Sequence, residues 1–218
     1  MGRMNKDHPL IHKPKNFERL KSELKGALSE AQLEAHFTLY QGYVKALASI
    51  EDKLRTVDRS KPSYSFSEYS ELRRREPVAY NGTVLHELYF ENLGPAEQRP
   101  PEDLRQAVIR SFGSFDAYVA DCKAIVGSGH GWCLTTFDFN FGAVRNNFVE
   151  SEHHVGLLPN QGILIAIDAW EHAYFMDYGT KKPDYFNAIW KHINWKAVNE
   201  RLAWTPLRAG KAGAGGMA

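Results

Sequence analysis

The polar and apolar positions follow a helical period through the first part of the chain. Between residues 29 and 55, apolar side chains recur every three or four positions, which is the spacing of one buried helix face. They are Leu33, Phe37, Tyr40, Val44, Leu47, Ile50 and Leu54. Ser29 and Gln32 have the types and spacing of a capping box at a helix start. The pattern therefore predicts a long helix over residues 29–55, and His36 lies on it.

A second helical pattern follows a polar loop. Residues 67–75 predict a helical piece that Pro77 stops, because proline has no backbone N–H and its ring clashes with the preceding turn. Residues 81–92 then predict a further long helix with His86 in its middle. Together with the first helix, these segments predict an antiparallel helical hairpin that carries His36 on one long helix and His86 on the other.

The second half of the chain mixes helical and strand periods. Two amphipathic helices are predicted first, over residues 102–112 and 114–125. Three short segments rich in β-branched and aromatic residues then predict strands. These segments are Trp132–Phe137, Val144–Val149 and Gly162–Ala169. Helices are predicted for the remainder, over residues 171–178, 183–193 and 195–202. The pattern thus predicts a three-stranded antiparallel sheet packed with helices.

A proline-rich segment between residues 93 and 101 separates the two patterns. We predict an α+β protein with an N-terminal antiparallel α-hairpin domain, residues 1–93, and a C-terminal α/β domain with a three-stranded antiparallel sheet, residues 102–207. Residues 1–15 combine charges and prolines without a period, which indicates an extended arm. Residues 208–218 are rich in glycine and alanine, which predicts a flexible tail.

Composition narrows the class of protein. The chain has 218 residues, of which 43% are hydrophobic, enough to bury a core, and its formal net charge is +1. A charge this close to zero gives no electrostatic basis for binding nucleic acid or an anionic membrane. No apolar run approaches the roughly 20 residues of a membrane span, and the charged N-terminus lacks the apolar core of a secretory signal. Cys122 and Cys133 do not make a disulfide framework. We expect a cytoplasmic protein that binds neither nucleic acid nor a membrane.

The end of the third predicted strand carries the candidate chemistry. The apolar run Ile163–Ile167 leads directly into Asp168, and a carboxylate at the end of a buried strand is costly unless something pairs with it. His172 follows four residues later, so a helical turn would bring both side chains to one point. A divalent or trivalent metal ion would satisfy both. The alternative is that Asp168 caps the next helix and His172 packs in the core.

The same stretch resembles a known family. Its sequence Asp-Ala-Trp-Glu-His-Ala-Tyr over residues 168–174, the Lys-Pro-Asp-Tyr of residues 182–185 and the Ile-Asn-Trp of residues 193–195 are similar to the C-terminal signature of the iron/manganese superoxide dismutases. The resemblance covers roughly residues 17–203. It implies an enzyme that converts the superoxide anion to oxygen and hydrogen peroxide, with one iron or manganese ion per subunit.

The resemblance also implies the ligands of that metal. They are His36, His86, Asp168 and His172. Three imidazoles and one carboxylate form a nitrogen and oxygen donor set that suits iron or manganese, and the absence of a thiolate from the set argues against structural zinc or an iron–sulfur cluster. Because two ligands come from each half of the chain, the metal would join the halves.

One family position near the first ligand differs in this chain. The family usually has a second histidine four residues after that ligand and a tyrosine four residues further on, whereas here Tyr40 and Tyr43 lie four and seven residues after His36. Seven residues at about 100° each return the side chain to within about 20° of His36. Tyr43 is therefore expected to face the metal. The place of the missing histidine at the substrate entrance falls to Leu39 or Tyr40.

Two further positions bear on the surroundings of the metal. Gly82 stands where the iron type has a glutamine against the metal-bound solvent, which resembles the manganese or metal-flexible type. In that type the partner precedes the third strand, where this chain has His153 and His154; His153 is expected to take the role. Trp132 follows the sequence Gly-Ser-Gly-His-Gly and resembles the tryptophan of the family's pocket.

The resemblance implies an oligomer as well. Glu171 and Tyr174 match family residues at the subunit interface, where the glutamate bonds to the ligand histidine of the other subunit. We expect a homodimer or a dimer of dimers. Two other functions are weighed against the dismutase: a non-haem iron oxygenase with two histidines and one carboxylate, and a non-catalytic metal-binding dimer of the same fold.

Overall fold

The structure is a computed structural model that describes residues 12–96 and 99–209. Its helices are α1 (Leu20–Glu23), α2 (Glu30–Thr56), α3 (Glu68–Glu91), α4 (Glu102–Phe112), α5 (Phe115–Ser128), α6 (Ser151–His154), α7 (Phe175–Tyr178), α8 (Lys182–Trp190), α9 (Trp195–Leu202) and α10 (Pro206–Ala209). Its strands are β1 (Trp132–Asp138), β2 (Ala143–Val149) and β3 (Gln161–Asp168). Most of the predicted arm and tail, residues 1–11 and 210–218, lie outside the described residues. The helix α10 ends at Ala209, inside the tail predicted from Arg208, and the flexible tail stays a prediction.

The helices α2 and α3 pack side by side as the predicted hairpin. At the start of α2 the Ser29 hydroxyl accepts a hydrogen bond from the backbone N–H of Gln32, at 3.1 Å, as a capping residue does. The expected stop at Pro77 is wrong, since α3 runs unbroken from residue 68 to residue 91 with Pro77 inside it. A proline inside a helix costs about 3 kcal/mol. Burial of Val78 and Ala79 directly after it keeps the helix in place against that cost.

The three strands form one antiparallel sheet in the order β2-β1-β3, as predicted. Every residue of the central strand β1 is buried. Its three polar residues, Thr135, Thr136 and Asp138, are each paired through hydrogen bonds or an ion pair. Trp132 at the start of β1 pairs with Asp168 at the end of β3. This pairing brings Trp132 and Asp168 together at the end of the sheet where β3 stops.

The segment after β3 differs from the continuous helix predicted over residues 171–178. It forms a 3-10 turn over residues 171–173, a break at Tyr174 (φ −148°), and then the short helix α7. The side chain of Gln32 explains the break. Its Nε2 donates to the carbonyl of His172 at 2.6 Å, and its Oε1 accepts from the N–H of Met176 at 3.0 Å. These two backbone groups would bond to each other in an α-helix, so the buried amide of Gln32 takes the place of that helical bond.

One hydrophobic core extends through both halves of the chain, from Phe17 to Leu202. The division into two domains therefore stays a prediction. Arg201 of α9 adds polar contacts between the halves: its guanidinium donates to the Leu88 carbonyl at 3.2 Å, to the Glu91 carboxylate at 2.9 Å and to the Leu164 carbonyl at 3.0 Å. In the described part of the chain, no helix combines the length and the apolar character that crossing a bilayer requires.

We expect Arg201→Met to lower the free energy of unfolding of the metal-loaded protein by about 2–4 kcal/mol, because the hydrogen bonds of a largely buried guanidinium, including one to the Glu91 carboxylate, are lost together. Urea unfolding followed by circular dichroism measures the change. Arg105→Met, at an exposed position of α4, is the matched control and should stay within about 0.5 kcal/mol of the wild type. Equal effects of the two substitutions would contradict a role for Arg201 in joining the halves.

Candidate metal site

Four side chains from separate segments converge beside the end of β3. They are His36 of α2, His86 of α3, Asp168 of β3 and His172 of the 3-10 turn, and one ligand atom from each lies within 4.8 Å of all the others. The side chains of His36, His86 and Asp168 are fully buried, whereas the side chain of His172 is partly exposed. The predicted convergence of Asp168 and His172 is seen, although a 3-10 turn produces it and not an α-helix.

The distances within this cluster fit one ion. From Asp168 Oδ2, the Nε2 atoms of His172, His36 and His86 lie at 3.0, 3.2 and 3.6 Å, and the Nε2 atoms of His86 and His172 are 3.3 Å apart. Nitrogen and oxygen ligands lie about 2.0–2.2 Å from a first-row metal ion, so pairs at about 90–120° around one ion are about 3.0–3.6 Å apart. The donor set, three imidazoles and a carboxylate without sulfur, also suits iron or manganese.

Backbone and side-chain contacts orient the carboxylate of Asp168. Its Oδ1 accepts from the N–H of Trp170 at 2.9 Å, which leaves Oδ2 toward the imidazoles. The hydroxyl of Tyr185 donates to the Asp168 carbonyl at 2.8 Å and itself accepts from Tyr89 at 3.0 Å. Burial alone would raise the pKa of the Asp168 carboxyl, but the neighbouring charge and hydrogen bonds of His172 and His36 outweigh it and hold that pKa well below its usual range.

The two imidazoles on α2 and α3 are set up to present Nε2. Nδ1 of His86 bonds to the Gly82 carbonyl, which can only accept, so Nδ1 carries the proton and Nε2 keeps its lone pair. Nδ1 of His36 is buried and has no hydrogen-bond partner within residues 12–96 and 99–209. Burial lowers the pKa of both imidazoles, more strongly for His86, which favours the neutral, ligating form.

A chain of hydrogen bonds lies beside the cluster. The indole N–H of Trp132 donates to Nδ1 of His153 at 2.9 Å, and Nε2 of His153 lies 2.7 Å from the hydroxyl of Tyr43. Because an indole only donates, Nδ1 of His153 must accept, and the neutral ring then carries its proton on Nε2 and donates it to Tyr43. The Tyr43 ring stacks on His86 at 5.3 Å. The structure thus brings Trp132, His153 and Tyr43 together next to the four candidate metal ligands.

The backbone around His153 is unusual. Glu152 and His153 both have left-handed conformations, with φ of 55° and 63°, in the single turn of α6. Non-glycine residues in this region cost about 1–3 kcal/mol each. The turn directs the imidazole of His153 into the interior, where it is almost fully buried, and leaves His154 partly exposed with only a contact to the Glu152 carbonyl. Of the two candidate histidines, His153 is the one beside the cluster.

Tyr40 makes its hydrogen bonds outside the cluster, and its place at the substrate entrance stays a prediction. Its side chain is buried, and its hydroxyl donates to the Glu87 carboxylate at 2.6 Å while accepting from the Lys15 N–H at 2.9 Å. Lys15 Nζ lies 2.8 Å from the same carboxylate. The negative charge of Glu87 is therefore balanced by Lys15, without a contribution from the metal site. Leu39, the other residue considered for the entrance, is partly exposed.

The residues predicted at a subunit interface lie at the edge of the cluster. Half of the Glu171 side chain is exposed, at 51%, and its Oε2 lies 3.1 Å from Nδ1 of His130. Tyr174 is buried and stacks on Tyr185 at a centroid distance of 5.0 Å. The sequence reasoning missed the role of Gln32 in shaping the His172 turn, since the same residue fits a capping box, and no sequence signal distinguishes the two uses.

These features define a protein whose buried site has the donors for one iron or manganese ion and an adjoining tryptophan–histidine–tyrosine chain. Comparison with known proteins agrees. The family described as "Iron/manganese superoxide dismutases, C-terminal domain" matches residues 100–201. A superoxide dismutase [Fe] of Aquifex aeolicus is 38% identical over 201 residues, covering 88% of this chain and 92% of that protein.

More distant relatives carry both metal designations. A superoxide dismutase [Fe] of Cupriavidus metallidurans is 33% identical and covers 81% of this chain and 89% of its own length. A superoxide dismutase [Mn] 2 of Haloferax volcanii is 29% identical, and the match covers 73% of this chain and 79% of that protein. The chain belongs to the iron/manganese superoxide dismutase family, as its sequence signature predicted.

The close approach of α2 and α3 at Gly82 gives a direct test of the site geometry. A Cβ atom at Gly82 would lie 2.4–2.7 Å from ring atoms of Tyr43, so Gly82→Ala must displace that ring from His153. We expect a loss of about 1–3 kcal/mol of stability and lower activity. Thermal unfolding and a dismutase assay measure both.

Gly42→Ala is the matched control, since Gly42 lies on α2 next to Tyr43 and a Cβ there meets nothing within 4 Å. It should raise stability by about 0.5–1 kcal/mol through helix propensity. If Gly82→Ala behaved in the same way, the contact between Gly82 and Tyr43 would not constrain the site.

Proposed function

We propose that this protein catalyses the dismutation of superoxide to oxygen and hydrogen peroxide, with one iron or manganese ion per subunit. We propose as its ligands His36, His86, Asp168 and His172. The observation that carries the proposal is the convergence of three Nε2 atoms and one carboxylate oxygen at the spacing of ligands around a single ion, in a chain of this family.

The charge of the donor set suits the reaction. When bound, iron or manganese supplies one-electron redox chemistry between its divalent and trivalent states, which the oxidation and the reduction of superoxide both require. Three neutral imidazoles and the single negative charge of Asp168 reduce the charge in the buried site without cancelling it. The site therefore retains positive charge to attract a small anion.

We propose that Tyr43, His153 and Trp132 manage the proton supply. Trp132 holds Nδ1 of His153 as an acceptor, so Nε2 of His153 donates to Tyr43. The hydroxyl proton of Tyr43 is then free to donate elsewhere, and it has no other hydrogen-bond acceptor within the described ranges 12–96 and 99–209. Burial and the charge of Asp168 raise the pKa of Tyr43, which keeps this hydroxyl protonated.

Gly82 and His153 bear on the choice of metal. Gly82 supplies no side chain toward the site, because the Tyr43 ring occupies the space that a Cβ would need. His153 reaches the same region from the other half of the chain and bonds to Tyr43. This arrangement favours the manganese or metal-flexible type, with a histidine from α6 in the role that a glutamine from α3 has in the iron type.

We further propose a cytoplasmic homodimer, or a dimer of dimers, with Glu171 and Tyr174 at the subunit interface. Nδ1 of His172 has no hydrogen-bond partner in the described part of the chain, and the acceptor Glu171 is its neighbour in sequence. A donor and an acceptor side by side can pair reciprocally across a twofold axis. They border a depression of about 540 Å³, next to Phe175 and Met176, whose exposed fractions are 53% and 63%.

The two other functions fit the site less well. A non-haem iron oxygenase needs only two histidines and one carboxylate, with open positions for oxygen and an organic substrate, whereas four ligand atoms converge here. A non-catalytic metal-binding dimer would have the same four ligands but no use for the hydrogen-bonded chain from Trp132 to Tyr43. That chain supports the enzyme.

Reconstitution with iron and with manganese, separately and after removal of metal by a chelator, tests the function. We expect one ion per subunit, a higher midpoint of thermal unfolding than for the metal-free protein, because an ion that binds only the folded state stabilises it, and dismutase activity with manganese or with both ions. Asp168→Asn serves as the control and should abolish stoichiometric binding.

Activity with both ions would support a metal-flexible site, and activity with iron alone would contradict the inference drawn from Gly82 and His153. One ion per subunit without activity from either metal would contradict the enzyme and support the non-catalytic alternative.

Tyr43→Phe separates proton supply from metal binding. We expect the metal content to be unchanged and kcat to fall by about tenfold or more, because the proton-donating hydroxyl is lost. Tyr40→Phe removes a hydroxyl from the same helix that bonds to Glu87, away from the ligands. This control should lower stability by about 1 kcal/mol and leave kcat within about twofold of the wild type. Equal kcat values for the two variants would contradict a role for Tyr43.

A further inference from the structure

The histidine within the sequence Gly-Ser-Gly-His-Gly has no part in the site described above. His130 lies in the loop between α5 and β1, and 56% of its side chain is exposed. Its ring lies against the indole of Trp170, at a centroid distance of 5.9 Å, and its Nδ1 lies 3.1 Å from Oε2 of Glu171. His130 is exposed, yet it contacts Glu171, the acidic residue between Asp168 and His172 in sequence. A role at the edge of the metal site would explain this position.

The loop that carries His130 is held on both sides. Nζ of Lys182 donates to the Gly129 carbonyl at 2.6 Å, and the N–H of Ala169 donates to the Gly131 carbonyl at 2.8 Å. Gly131 has φ of 149°, and a Cβ there would lie 2.1 Å from the Val149 carbonyl oxygen, so only glycine fits at this point. The position of His130 beside Glu171 is therefore built into the loop and does not depend on a flexible surface side chain alone.

The contact occupies only part of the Glu171 carboxylate. A carboxylate accepts hydrogen bonds at both oxygens. His130 meets Oε2, while Oε1 has no hydrogen-bond partner in residues 12–96 or 99–209. Without His130, the half-exposed side chain of Glu171 would be free to sample several rotamers, and binding would have to order it.

We propose that His130 is a positioning residue for the subunit interface: it holds one oxygen of Glu171 so that the other is presented to His172 of the partner subunit. The inference rests on the proposed dimer. It assigns to His130 a role within its own subunit, and through Glu171 it links the loop before β1 to a metal-site histidine of the other subunit. Because a twofold dimer contains the contact twice, its effect on subunit affinity is doubled.

Two substitutions separate the donor from the ring. His130→Asn keeps a nitrogen donor close to the position of Nδ1 but removes the ring that packs on Trp170. His130→Phe keeps a ring and removes the donor. Unlabelled and ¹⁵N-labelled samples of each metal-loaded variant are mixed, and native mass spectrometry follows the appearance of mixed dimers over time, which reports the rate of subunit exchange.

We expect His130→Phe to exchange subunits about tenfold faster than the wild type or more, because interface changes act mainly on dissociation, and His130→Asn to stay within about twofold of the wild type. Rescue by asparagine is a result that a purely structural role of the ring would not produce. Metal content and far-ultraviolet circular dichroism confirm that both variants are folded and loaded.

Three outcomes would overturn the proposal, and they differ from one another. If His130→Phe exchanges at the wild-type rate while Glu171→Ala exchanges faster, the dimer contact exists but His130 does not hold it. If His130→Asn is as fast as His130→Phe, the ring matters and not the donor. If the wild type is a monomer, the proposed dimer is wrong and the role of His130 fails with it, whereas the dismutase activity is tested independently.

Discussion

Burying the Asp168 carboxylate away from water would cost several kcal/mol if charge and hydrogen bonds around it did not compensate. The compensation comes from elements far apart in sequence: the Trp170 N–H binds one oxygen, and His36 and His172 meet the other. Each element must therefore approach the end of β3 closely, which brings α2 and the 3-10 turn against the same sheet edge. The hairpin and the sheet are therefore held together by the contacts of the Asp168 carboxylate as well as by their shared hydrophobic core.

The elements that follow a local period were predictable from the sequence, and those that depend on distant contacts were not. The three strands match within one residue at each end because their β-branched and aromatic residues are bounded by segments rich in turn residues. The helix through Pro77 was missed because tertiary packing outweighs the local cost of proline. The break after Ala173 was missed because it depends on Gln32, a residue about 140 positions away in the sequence, whose amide replaces a helical hydrogen bond.

The candidate site divides in the same way. The four donor residues could be named from the family signature and from spacing, and the structure brings all of them together. Tyr43 could be identified because an uninterrupted α-helix returns to the same face after seven residues. The orientation of Tyr40 toward Glu87 depends on Lys15, which nothing in the local pattern of α2 indicates. The contact between His130 and Glu171 likewise depends on the path of a loop with two glycines.

The backbone around His153 is strained, and the hydrogen-bonded chain of Trp132, His153 and Tyr43 explains why. A left-handed backbone at Glu152 and His153 costs free energy, and a glycine in the middle of α3 weakens that helix. The first directs an imidazole into the site, and the second leaves room for the ring of Tyr43. Since the Trp132 indole can only donate, the direction of the whole chain is set at its buried end, and the Tyr43 hydroxyl proton is left as the group that can be passed on. Local strain thus places the imidazole of His153 between an indole that can only donate and the hydroxyl of Tyr43.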